Sequence, residues 1–340
     1  MVEYRVFFRY LAQDERTDAY MKKVIFRTVV RALLLLAATC LVLLWYLYFK
    51  DYAPYWHDRK GTLLRSSMSS AGESGYLRKW WVRIENGGGF NVDCGLLTPP
   101  DTARRYPAIV LLGGKTTGKY AIDYALDIKD VIIIAPDYPY TPRDRYTLLQ
   151  FLEDLPAMRQ ALLDMVPAVM LVTDYLWQRP DVDTTKVILL GYSFGAPFVP
   201  CLLAHDRRAG IAAMVYGGGD LRSLITHNVG RYEGPLVSEC VGDLGGVLLR
   251  PLEPLRYIER VSPTPLIMIN GTRDEQIPRA YVEILFQRAR EPKKLIWLDT
   301  KHVHWKNVEL TRLIVKILSR ELEQQGILAG ESTAGEARGR

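Results

Sequence analysis

Beyond residue 77 the chain alternates short, unbroken apolar runs with longer stretches of helical periodicity. Residues 80–84 and 92–97 read as two strands joined by the turn Asn86-Gly87-Gly88-Gly89, a hairpin signal. Residues 108–112, 131–135, 187–190, 212–216, 266–269 and 295–298 are each four or five apolar residues in a row, the pattern of strands buried on both faces. Residues 155–177 carry a long helical apolar pattern in which Pro167 predicts a kink or a break. In 308–323, Leu310, Leu313, Ile314, Ile317, Leu318 and Leu322 recur at helical spacing, which predicts an amphipathic closing helix. Buried strands alternating with helices predict an α/β protein with a central, mostly parallel sheet. In such sheets ligands lie beyond the carboxyl ends of the strands.

Ahead of this pattern lies a different one. Residues 32–49 hold no charge, and extended back to 29 the run reaches about twenty residues with only Arg31 interrupting, enough to span a hydrocarbon core of roughly 30 Å. Trp45, Tyr46 and Tyr48 crowd its far end, as interfacial aromatics do. A core helix would show a polar face, and this run shows none. A cleaved signal peptide would be shorter and end at small residues. The reading is a transmembrane helix over 29–49, after a basic segment over 1–28. Residues 50–75, polar and then rich in Ser and Gly, read as a linker to a folded α/β domain over 76–325. Residues 221–260 form a long, weakly periodic insert, a possible cap, and 326–340 a disordered tail.

Composition changes little in this picture. The 340 residues are 49% hydrophobic and 24% charged, ordinary for a globular protein. The net charge of +6 is concentrated at the start, where Arg5, Arg9, Arg16, Lys22, Lys23, Arg27 and Arg31 outnumber the acids. Basic residues before the helix place the N-terminus in the cytoplasm and the domain outside it, the periplasm in a Gram-negative cell. Lys50, Arg59, Lys60 and Arg65 on the other flank pull against that orientation. No basic stretch is interleaved with aromatics, so no nucleic-acid partner is expected. Four cysteines, Cys40, Cys94, Cys201 and Cys240, are too few and too scattered for a metal cluster or a disulfide framework.

The candidate chemistry sits just past strand ends. The strand at 187–190 runs into Gly191-Tyr192-Ser193-Phe194-Gly195, a glycine-flanked serine before a helix-forming stretch. A sharp strand-to-helix turn is how a chain presents one serine oxygen as a nucleophile. That serine needs a base, and a histidine suits the task at neutral pH. His302, directly after the last strand, is the choice, with His304 in reserve. The histidine needs a carboxylate to fix its tautomer. Asp274, after the strand at 266–269, completes the order Ser, Asp, His, and Asp220 is its competitor. Oxyanion donors would be the backbone N–H of Phe194 and that of Gly114 or Lys115. The loop Gly113-Gly114-Lys115-Thr116-Thr117-Gly118 is not a phosphate-binding P-loop, because its lysine precedes the last glycine.

With these residues the chain resembles the α/β-hydrolase family over roughly 77–322. The resemblance rests on Gly191-Tyr192-Ser193-Phe194-Gly195, on Gly113-Gly114, on Asn270-Gly271-Thr272-Arg273-Asp274 with Ile277-Pro278, and on Lys301-His302-Val303. The stretch from Asp174-Tyr175-Leu176 through Asp181-Val182-Asp183 to Lys186-Val187 looks like the dienelactone-hydrolase-like and acyl-peptidase-like branch. The resemblance implies the α/β-hydrolase fold and a Ser193-His302-Asp274 mechanism with neither metal nor cofactor. It also implies a cap over the site at 221–260. Many members carry His-Gly where this chain has Gly113-Gly114, and a dienelactone hydrolase itself carries cysteine as nucleophile. Ser193 points instead to ester, thioester or amide hydrolysis, on a small-molecule or lipid-like acyl substrate. The alternatives are a serine peptidase or acyltransferase of the same fold, or a catalytically silent, membrane-tethered binding protein.

Overall fold

The structure is a computed structural model that describes residues 2–125, 128–140, 143, 147–304 and 306–328; of residues 2–19, 148 and 152 the backbone alone is described. The chain divides into two compact units, Met1–Lys50 and Asp51–Arg340. The first is one helix, α1 (Val2–Phe49). Its stretch Tyr20–Phe49 is 30 residues, long and apolar enough to cross a membrane, and none of it is buried inside the protein.

The second unit is built on a nine-stranded sheet of order β1-β2-β3-β5-β4-β6-β7-β8-β9. β1 (Leu63–Ser74), β2 (Leu77–Asn86) and β3 (Asn91–Thr98) form an antiparallel edge. β3 runs antiparallel to β5 (Ile132–Pro136). From there β4 (Tyr106–Leu112), β6 (Val182–Tyr192), β7 (Ile211–Val215), β8 (Leu266–Gly271) and β9 (Lys293–Leu298) continue the sheet in parallel. The unbroken apolar runs follow from this: Ala108, Val110 and Leu112 enter the core on one face of β4, and Ile109 and Leu111 enter the core on the other.

The first face is covered by α3 (Leu148–Gln178), α4 (Phe198–His205) and α7 (Arg279–Arg288), the second largely by α8 (Val308–Gln324). α8 lays down a stripe of Leu310, Ile314, Leu318 and Leu322, one every four residues. α3 begins at Thr147, whose side chain and that of Gln150 cap each other's backbone N–H groups. The break that Pro167 could have caused does not occur: α3 runs as one helix through both Pro156 and Pro167. Packing of its apolar side on the sheet holds what propensity disfavours.

The expected linker over 50–75 is corrected. It folds as α2 (Ala53–Lys60) and β1. Tyr52 and Trp56 are buried in the core of the first face. Tyr55 donates to Asp164 on α3, and Lys60 pairs with Asp174 at 2.6 Å. Asn86, itself buried, donates from Nδ2 to the carbonyls of Arg59 and Lys60, and its Oδ1 accepts from Gly88 and Phe90 in the hairpin turn. β1 is mostly exposed and serine-rich because an edge strand is held by backbone pairing, which places no demand on its side chains. The insert at 221–260 folds as α5 (Leu221–Gly230), α6 (Pro235–Leu248) and three short 3-10 turns. Of the expected tail, Ile327 is buried beside α8, and 329–340 lie outside the described residues.

Candidate active site

β6 ends at Tyr192, and Ser193 takes a φ of +52° before the chain turns through a 3-10 step into α4. A left-handed conformation at a non-glycine residue is strained. It is enforced by close packing on both sides. A Cβ at Gly191 would stand 2.6 Å from the carbonyl oxygen of Gly195, and one at Gly195 would stand 2.2 Å from the carbonyl oxygen of Leu112 on β4. Glycine at both positions is therefore what lets β4, β6 and the turn meet.

Ser193 Oγ lies 2.8 Å from His302 Nε2, and His302 Nδ1 lies 2.7 Å from Asp274 Oδ2. The side chains of His302 and Asp274 are 11% and 1% exposed. Asp274 Oδ1 accepts the backbone N–H groups of Gln276 (2.8 Å) and Ile277 (2.9 Å), which aims Oδ2 at the imidazole. Facing an acceptor-only carboxylate, the neutral ring carries its proton on Nδ1 and offers Nε2 to the serine hydroxyl.

The competitors have other tasks. Asp220 is the N-cap of α5 and accepts from Ser223 N–H, while Glu253 accepts from the N–H groups of Asp220 and Leu221. His304 is exposed and its Nδ1 accepts from Lys306 N–H. Gly113, Gly114, Lys115, Ser193 and His302 line one cavity of about 260 Å³. Phe194 turns its ring away from that cavity, edge-on to Tyr138 at 5.2 Å. Within the loop, Gly113 is the glycine that packing requires, since a Cβ there would meet Thr117 Oγ1 at 2.2 Å. At Gly114 nothing stands within 4 Å of that place. Tyr138 Oη donates to the Gly113 carbonyl at 2.5 Å and pins the loop. Among the described residues no group of three or more His, Cys, Asp or Glu is arranged to hold a metal ion.

Three supports escape a sequence reading. Tyr216, fully buried with φ +55°, packs edge-on against the His302 ring at 5.5 Å and shares a 2.5 Å hydrogen bond with Thr300 Oγ1. Burial pushes the Tyr216 phenol above its ordinary pKa and keeps it neutral. From the insert, His227 Nε2 lies 2.9 Å from the carbonyl of Glu275, and Asn228 Nδ2 donates to that of Gln276 at 2.8 Å. α5 therefore ties down the loop that carries Asp274.

No family model matches the chain. Among curated proteins, the uncharacterized protein YfhR of Salmonella typhimurium is 30% identical over 153 residues, 44% of this chain and 50% of that protein. YfhR of Escherichia coli K12 is 29% identical over 126 residues, 37% of this chain and 41% of that protein. The chain thus spans about half the length of the curated relatives it matches. Among solved structures, acetyl xylan esterase 1 from Thermoanaerobacterium sp. superposes with a TM-score of 0.59 at 13% identity, covering 79% of this chain and 94% of that one. The acetyl xylan esterase of Paenibacillus sp. R4 gives 0.58 at 15% identity, with the same coverage. An esterase from Pyrococcus furiosus gives 0.52 at 15%, covering 73% and 91%. In its sheet, its strand order and its serine turn, this chain has the α/β-hydrolase fold.

Proposed function

We propose that this protein is a membrane-anchored serine hydrolase that cleaves carboxylic ester or thioester bonds. The observation that carries the reading is the hydrogen-bonded series Ser193–His302–Asp274 at the carboxyl edge of a parallel sheet. Ser193 Oγ attacks the substrate carbonyl as His302 Nε2 takes its proton, and Asp274 stabilises the imidazolium. The tetrahedral oxyanion is held by the backbone N–H groups of Phe194 and of Gly114 or Lys115. Collapse expels the alcohol or thiol, protonated by His302, and leaves an acyl-Ser193 ester. Water, deprotonated by His302, then hydrolyses that ester and returns Ser193. The esterases of similar fold favour an ester over an amide as the scissile bond. α1 holds the enzyme to the membrane, its basic N-terminal arm on the cytoplasmic side and the hydrolase unit on the other.

A fluorophosphonate probe, which traps activated serines, tests the reading. The wild-type chain labels and hydrolyses p-nitrophenyl esters, and Ser193→Ala does neither. His302→Ala loses nearly all turnover while His304→Ala keeps most of it. A folded wild-type chain that fails to label overturns the hydrolase reading. For the anchor, the protein pellets with membranes and is released by detergent but not by salt; recovery in the soluble fraction after gentle lysis refutes it.

A further inference from the structure

The cavity that opens beside Ser193 and His302 continues inward between the sheet and α8. Its sheet side is made by Ile109, Leu190 and Tyr192, and its helix side by Thr311, Ile314 and Leu318. On this face the crossover from β4 to β5 contributes a seven-residue 3-10 helix, Gly118–Tyr124, and α8 packs on the same face. A second cavity, lined by Tyr138, Phe151, Met158 and Phe194, lies toward α3 and includes neither Ser193 nor His302.

We propose that the cavity between the sheet and α8 receives an unbranched alkyl acyl chain, so that the enzyme prefers medium- and long-chain acyl esters to acetyl esters. The proposal rests on the ester-hydrolase reading above. Apart from the Tyr192 and Thr311 hydroxyls, its inner walls offer dispersion contact, so a sugar or a peptide chain would find few partners for its polar groups, whereas methylenes need none. The acyl group, not the alcohol, is the occupant for a kinetic reason. The acyl chain stays on Ser193 through both half-reactions, while the alcohol has to clear the His302 side before water can be activated there. Ile314 and Leu318 become specificity-determining residues.

Each methylene moved from water into such a site contributes about 0.8 kcal/mol, or roughly fourfold in kcat/KM. The test is kcat/KM for p-nitrophenyl acetate, butyrate, hexanoate and octanoate, whose leaving group is constant. The expected profile rises roughly fourfold per methylene until the cavity is full. Ile314→Phe and, separately, Leu318→Phe shorten the cavity, and the octanoate-to-acetate ratio falls at least tenfold in either. Fluorophosphonate labelling of each variant shows that it has folded with Ser193 reactive. Labelling and acetate turnover with a flat or falling chain-length profile overturns the cavity assignment alone. A rising profile that both variants leave unchanged also overturns it, and assigns the chain to the Phe194 cavity. Neither labelling nor turnover of any ester overturns the hydrolase reading itself.

Discussion

At the scale of single residues, two aspartates separate by what surrounds them. Asp274 spends one oxygen on two backbone N–H groups and turns the other to His302, whereas Asp220 caps a helix. Asp274→Asn would therefore retain the fold and lose roughly 10³–10⁴-fold in kcat, because an amide can donate to Nδ1 and favour the wrong tautomer. Asp220→Ala would cost about 1 kcal/mol of stability, as loss of an N-cap does, and leave kcat within a few-fold. Ester kinetics and a thermal melt on both variants check the pair; equal loss of turnover in the two contradicts the assignment. Ser193, His302 and the pair of candidate acids, Asp274 and Asp220, were legible in the sequence because each follows a strand by a few residues, where the chain direction dictates its place. Tyr216 was not, although it holds His302 from the side: its neighbours, Thr300 and the His302 ring, are more than eighty residues away along the chain.

At the scale of elements, α2 and the end of α4 meet around His205. Its ring stands edge-on to Trp56 at 4.9 Å and to Tyr257 at 5.7 Å, and its Nε2 has no hydrogen-bond partner. Burial, with Arg260 and His57 nearby, lowers its pKa to about 4 from an ordinary 6.5. The unfolded chain thus binds this proton more readily between those values, so stability rises with pH across that window and falls on acidification from about pH 6.5 to 4. With the ring only partly withdrawn from water, the contribution is on the order of 1–2 kcal/mol. Thermal melts at pH 7 and 4.5 would show a smaller acid-induced drop for His205→Phe than for the wild type; an identical drop means that His205 is not the titrating group. The sequence announced α4 through its apolar run but gave no sign of this contact, because α2 was read from its polar residues as part of a linker. Two buried aromatics, Tyr52 and Trp56, outweigh that polarity.

At the scale of the whole molecule, the chain is two units with different surfaces. Residues Tyr20–Phe49 expose apolar side chains all round, while from Asp51 onward the apolar residues turn inward. A chain that starts at Asp51 is expected to leave the membrane fraction, melt cooperatively and label with fluorophosphonate. One that starts at Tyr76 loses Trp56 from the core, a change worth about 3–5 kcal/mol, and the pairing of β1 besides. Circular-dichroism melts and labelling of the two truncations check this; equal stability contradicts the role given to α2 and β1.

The α/β layering, the apolar N-terminal helix and the order of serine, aspartate and histidine were determined by the sequence alone. They rest on local periodicity and on the rule that a parallel strand delivers its next residues to one edge of the sheet. Only the tertiary structure decided which aspartate faces the histidine, that 51–75 folds, and that α5 braces the loop bearing Asp274. The same holds for the cavity left between the sheet and α8. Each of these is a contact between segments far apart in the chain, set by packing and hydrogen-bond satisfaction that no local pattern encodes.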